Sequence, residues 1–207
     1  MAKKVLKKSA AHILARSPGP SYQDLLDKEV NPVPDCLRDN TNPYLGSENL
    51  SVDRYLSREF HDKEVEHVWQ RTWQAVCRET EVGEAGDTHV YDITRFSIIV
   101  TRTTAGKLKA FRNACLHRGR QLVDKNGNYE KFRCPYHAFT WSLEGDFKWA
   151  PCKWDFPHIK DETFGLPEVQ VDTWGGWVFI NMDLDAPSLQ DYLGVLPSHF
   201  ERWKPEN

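Results

Sequence analysis

Two short stretches of the chain each offer one thiol and one imidazole: Cys115-Leu116-His117, then sixteen intervening residues, then Cys134-Pro135-Tyr136-His137. Four such side chains suit two kinds of metal centre. A single tetrahedral zinc accepts two cysteines and two histidines. A two-iron two-sulfur centre takes the same set, both thiolates on one iron and both imidazoles on the other. Zinc modules of this composition usually keep the cysteines together and the histidines together. Here each stretch supplies one of each, and that interleaved order favours the cluster. Soft thiolates suit a ferric iron, while neutral imidazole leaves its iron electron-poor and easier to reduce. Such a centre transfers single electrons.

Something rigid must hold those donors, and from Thr88 onward the texture is β. Strands are expected at His89 to Ile93, Phe96 to Arg102, Lys107 to Asn113 and Trp177 to Ile180. Turn residues punctuate them at Ala105-Gly106, Asn126-Gly127, Glu144-Gly145-Asp146 and Gly175-Gly176. The fold class is mainly β with flanking helices (α+β), an antiparallel sandwich or small barrel. Each Cys/His pair then sits on a hairpin tip, and two rigid tips preorganise four ligands. Upstream, Val65, Val68, Trp69, Trp73 and Val76 mark one face of a helix over Asp62 to Val76, with Asp62 as its cap. Residues 18 to 50, rich in Pro, Asn, Asp and Gly, read as an extended arm. Leu189, Leu193 and Leu196 form the thin apolar face of a later helix.

Composition narrows the partners. A net charge of −3 over 207 residues argues for neither nucleic acid nor a membrane surface. The basic start, Met1 to Ser17, has apolar stretches too short for a secretory signal, and Trp177-Val178-Phe179-Ile180 is far too short to span a bilayer. Beyond Cys115 and Cys134, the cysteines Cys36, Cys77 and Cys152 share no motif spacing and read as buried thiols. Reduced cysteines beside an iron–sulfur centre point to the cytoplasm.

The segments Cys115-Leu116-His117-Arg118-Gly119 and Cys134-Pro135-Tyr136-His137-Ala138-Phe139-Thr140-Trp141 closely resemble the two cluster loops of Rieske non-haem iron oxygenases, the aromatic-ring-hydroxylating family. The stretch from Phe60 to Trp73 is similar to the helix that precedes the Rieske domain in their large subunits. Respiratory Rieske proteins carry an additional cysteine in each loop, forming a disulfide; Arg120 and Tyr136 occupy those places here. A serine that bonds a bridging sulfide there is also missing, which implies a potential toward the low end of roughly −150 to +300 mV. Two positions depart from the family pattern, which continues His-Gly-Trp where this chain has His137-Ala138-Phe139. Ala138 fits only if its φ stays negative, or at a modest cost. Phe139 keeps an aromatic wall without an indole donor. Arg118, Arg120 and Lys125 would place positive charge beside the cluster and ease its reduction, although Lys125 reads equally well as a solvated loop charge.

The resemblance covers roughly residues 50 to 195. It implies a [2Fe-2S] cluster held by Cys115, His117, Cys134 and His137, with no catalytic residue assigned in this chain. The family's mononuclear Fe(II) uses a downstream Asp/Asn-x-x-His-x₃₋₅-His stretch, and His12, His61, His67, His89, His158 and His199 form none. The iron is expected in a separate catalytic domain that hydroxylates an aromatic or similar hydrophobic substrate. The implied layout is an arm at 1–50, a helical lead-in at 51–80, the Rieske domain at 81–185 and a connection from 186 to 207. Implied partners are a reductase or ferredoxin donor and the catalytic domain of the same or a neighbouring subunit in a trimer. Two alternatives stay open: an independent Rieske-type ferredoxin, and a structural zinc module for protein contacts.

Overall fold

The computed structural model describes residues 19–38, 46 and 48–206. The basic segment Met1 to Ser17 and His12 lie outside them. The chain divides into two compact units, residues 1–54 and 55–207.

In the first unit the expected extended arm is partly helical, with short helices α1 (Tyr22–Leu26) and α2 (Asp35–Arg38). A reciprocal cap explains α1. The Ser21 hydroxyl accepts the Asp24 N–H at 3.1 Å, and the Asp24 carboxylate accepts the Ser21 N–H at 2.7 Å. A third short helix, α3 (Asp53–Leu56), falls at the division between the units.

The second unit opens with α4 (Arg58–Glu64), which runs on into a π-helical turn over Val65–Trp69. The expected helix over Asp62 to Val76 is therefore displaced. Ser57 caps the start, accepting the Phe60 N–H at 3.2 Å, and the helix ends before Trp73. Trp73 and Val76 keep a helical spacing in sequence but serve a different element: Val76 lies in strand β1 (Gln74–Arg78). Trp73 is buried, its indole N–H donating to the Pro187 carbonyl at 2.9 Å.

The strands that follow are β2 (Asp87–Ile93), β3 (Phe96–Arg102), β4 (Leu108–Arg112), β5 (Gly127–Asn128), β6 (Phe132–Arg133), β7 (Thr140–Trp141), β8 (Phe147–Trp149), β9 (Glu168–Trp174) and β10 (Trp177–Asn181). Seven form one antiparallel sheet in the order β1-β10-β9-β4-β3-β2-β5, and β6-β7-β8 form a second. The fold is mostly β, a curled antiparallel half-barrel with few short helices, as the sequence implied. Asn126-Gly127 is not a hairpin turn; Gly127 pairs with Thr88 as an edge strand. The final apolar face splits into α5 (Leu189–Leu193) and α6 (Leu196–Phe200) around Gly194, leaving Leu189 and Leu193 buried and Leu196 exposed.

Among the described residues the smallest apolar cluster packs Trp73 against Leu189 and Leu193, and two larger ones stand apart from it. One, built on Ile98, Val100, Val178 and Ile180, fills the large sheet. The other packs Phe111, Phe132, Phe139 and Trp141 around Cys115 and Cys134. Cys77 is buried as expected, but Cys36 and Cys152 are exposed. Among the described residues no helix is long and apolar enough to cross a membrane.

Candidate metal centre

The two Cys/His stretches fold into the same turn. Cys115 N–H donates to the Arg120 carbonyl at 2.8 Å, and the Cys115 carbonyl accepts from Gly119 N–H at 2.8 Å. Nineteen residues on, Cys134 N–H donates to Phe139 and the Cys134 carbonyl accepts from Ala138 N–H, at 2.8 and 2.9 Å. Both turns need a left-handed residue four places after the cysteine: φ is 73° at Gly119 and 61° at Ala138. The negative-φ option for Ala138 is thus excluded, and its Cβ carries the strain that glycine avoids.

The supports differ. Only the second loop crowns a hairpin, where β6 and β7 pair Phe132 with Trp141 and Arg133 with Thr140. The first follows β4, whose neighbours in the sheet are β3 and β9, so it is not the hairpin tip expected. Asn113, fully buried, closes it instead. Its side-chain oxygen accepts the Leu122 and Val123 N–H groups at 3.0 Å, and its amide donates to the Val123 carbonyl at 2.7 Å. No motif marks Asn113; its only trace in the sequence is its place two residues before the first cysteine.

Like donors meet like. The Cys134 thiol is near enough to act on that of Cys115, and the His117 and His137 rings lie 4.9 Å apart at 68°. Burial pushes the Cys115 thiol up, and the neighbouring Cys134 thiol adds to this. The His117 and Arg118 backbone N–H groups bond the Cys115 sulfur and pull the other way. His117 is held below the usual imidazole value, first by burial, then by Arg118 and His137. Its ring stacks on Phe139 and meets Phe156 edge-on, while the exposed Tyr136 ring stacks on His137 at 3.8 Å. Of the expected cations, Arg118 is close enough to act on His117, whereas exposed Arg120 pairs with Asp124 at 3.2 Å. Lys125 is exposed, and its backbone carbonyl accepts the Tyr129 hydroxyl. His61 and His67 are both on the surface.

Two observations test what this arrangement fits. Nδ1 of His117 is buried without a hydrogen-bond partner, alone in that among described side chains, which is the state of a nitrogen shaped for a metal. No three of the four donors lie within 4.8 Å of one another; among the described residues only one other trio does. One tetrahedral zinc needs its donors within about 3.8 Å. A wider core with thiols at one end and imidazoles at the other fits a two-iron cluster. Residues 72–160 match the Rieske [2Fe-2S] domain family.

The chain carries a Rieske domain.

Its relatives are Rieske oxygenase subunits. It is 31% identical over 142 residues to the alpha subunit of biphenyl 2,3-dioxygenase from Rhodococcus jostii, a match covering 68% of this chain and 31% of the relative. Among solved structures, the quaternary ammonium Rieske monooxygenase CntA with γ-butyrobetaine superposes with a TM-score of 0.69 at 27% identity, covering 73% of this chain and 44% of that one. Naphthalene 1,2-dioxygenase from Rhodococcus sp. gives 0.65 at 34% identity, covering 69% and 33%. The chain therefore spans less than half the length of the proteins it matches.

Proposed function

We propose that Cys115 and Cys134 hold one iron of the Rieske cluster and His117 and His137 the other. The segregation of thiols from imidazoles carries this assignment. When bound, the cluster accepts and releases one electron at a time. The chain's own residues supply the rest. Asn113 and the β6–β7 hairpin hold the loops, and burial keeps the thiols dry. Phe139 and Tyr136 clamp the two imidazoles.

The electron's destination is a mononuclear non-haem iron in a catalytic domain reached through residues 186–207, in the same or a neighbouring subunit of a trimer. Inter-subunit electron transfer reported for the quaternary ammonium monooxygenase supports the second route. The donor is a reductase or ferredoxin. The substrate is an aromatic or similar hydrophobic compound, and the names of the relatives extend that class to quaternary ammonium compounds. Residues 1–50 form the arm, 51–80 the lead-in and 81–185 the cluster domain. Five free cysteines accord with a cytoplasmic setting.

Iron and acid-labile sulfide analysis, with paramagnetic resonance of the reduced protein, tests the assignment. About two irons and two sulfides per chain are expected. Cys115→Ser or Cys134→Ser should abolish both; a colourless protein holding one zinc would refute it.

A further inference from the structure

Strands β1 and β2 stand five places apart in the sheet order β1-β10-β9-β4-β3-β2. Their side chains nevertheless meet across an open seam, with no β1–β2 strand pairing among the described residues. Side chains bridge it. Tyr91 on β2 donates its hydroxyl to Gln74 on β1 at 3.2 Å. Further along, Cys77 from β1, Glu81 from the 3-10 turn Glu79–Val82 and His89 from β2 gather with all three donor atoms within 4.8 Å of one another.

We propose that Cys77, Glu81 and His89 form a second metal site, for a zinc-class divalent cation, that staples the open seam of the curled sheet. The donor set selects the ion. Zinc accepts sulfur, nitrogen and oxygen together, whereas calcium and magnesium ask for oxygen alone. Cys77 is 2% exposed, while the His89 and Glu81 side chains are 16% and 47% exposed. That gradient gives a buried anchor, an entry path and an open fourth position for water.

The outer contacts are already in place. Arg78 N–H donates to Oε1 of Glu81 at 2.8 Å, leaving Oε2 directed at Nδ1 of His89, 3.5 Å away. Asn126 meets the same ring nitrogen, its Nδ2 at 3.0 Å from Nδ1 while its Oδ1 accepts the Val90 N–H at 2.8 Å. Such partners orient a ligand before the ion arrives. Zinc requires its donors within about 3.8 Å of one another, a separation that Glu81 and His89 already meet at 3.5 Å. The site belongs to the large-sheet core, separate from the core around Cys115 and Cys134.

The test uses the oxidised, cluster-loaded protein, stripped of loose metal and titrated with Co²⁺. Binding of about one Co²⁺ per chain is expected, with a thiolate-to-cobalt band in the difference spectrum. Cys77→Ser should remove the band, and His89→Ala or Glu81→Gln should weaken binding at least ~10-fold. Unchanged iron and sulfide content in each variant reports retained folding and keeps this result independent of the Rieske assignment. Should the Cys77 or His89 variants lose their cluster, exposed Glu81→Gln decides alone. No cobalt bound, or binding unaffected by Glu81→Gln, overturns the proposal.

Discussion

The His117 ring lies flat on that of Phe139, centroids 4.6 Å apart and planes 10° from parallel. Phe139 is itself fully buried and touches Trp141, Phe147, Phe156 and Phe164. One imidazole is thus referred, through one ring, to the aromatic core.

Phe139→Leu should keep most of the buried volume yet release the histidine. We expect a fold loss of about 1–2 kcal/mol and faster loss of cluster colour in chelator. Bleaching at the parent rate would show that the stack does not position His117.

The matched turns at Gly119 and Ala138 give a paired experiment. Ala138→Gly removes a Cβ from a left-handed residue and should stabilise by about 0.5–1 kcal/mol, after the added freedom of the unfolded chain. Gly119→Ala should cost about 1 kcal/mol. No Cβ clash lies within 4 Å at Gly119, so any cost there is backbone strain alone. Thermal melts of both variants check the opposite signs.

Asn113→Ala would strand the Leu122 and Val123 N–H groups in a buried site. A stability loss of at least ~2 kcal/mol is expected, with reduced cluster occupancy in the purified protein. Urea unfolding alongside iron content measures both. Normal occupancy would mean that the first loop closes without this side chain.

Burial, Arg118 and His137 hold His117 below its ordinary value, so the unfolded chain takes up its proton first as pH falls. Stability from this neutral imidazole is full above the unfolded value of about 6.5 and is lost as pH falls through the folded one. Cluster-free protein should therefore unfold more easily in urea at pH 5 than at pH 7.5, and His117→Gln should flatten that dependence. A parent protein whose midpoint rises on acidification would contradict the sign.

Much of this was legible in residue types. Phe96 to Arg102 was expected as a strand with the bounds it has, its middle a β-branched run, Ile98-Ile99-Val100-Thr101. The four donors were legible because metal chemistry restricts which side chains serve. The rest depends on distant pairing. Trp73 and Val76 extend a helical spacing, but pairing of Gln74 with Ile180 and Ala75 with Phe179 pulls that stretch into a sheet. Asn126-Gly127 looks like a turn until Asp87 and Thr88 recruit it as an edge. His89 read as an ordinary histidine because nothing local shows that the curl returns β2 to Cys77.

The sharpest check is Mössbauer spectroscopy of the ⁵⁷Fe-enriched, one-electron-reduced protein. Sulfur at one end and nitrogen at the other should give two unlike irons in equal amounts, the added electron residing on the histidine-held one. Two indistinguishable irons, or none, would contradict the shared hold of Cys115 and Cys134 against His117 and His137.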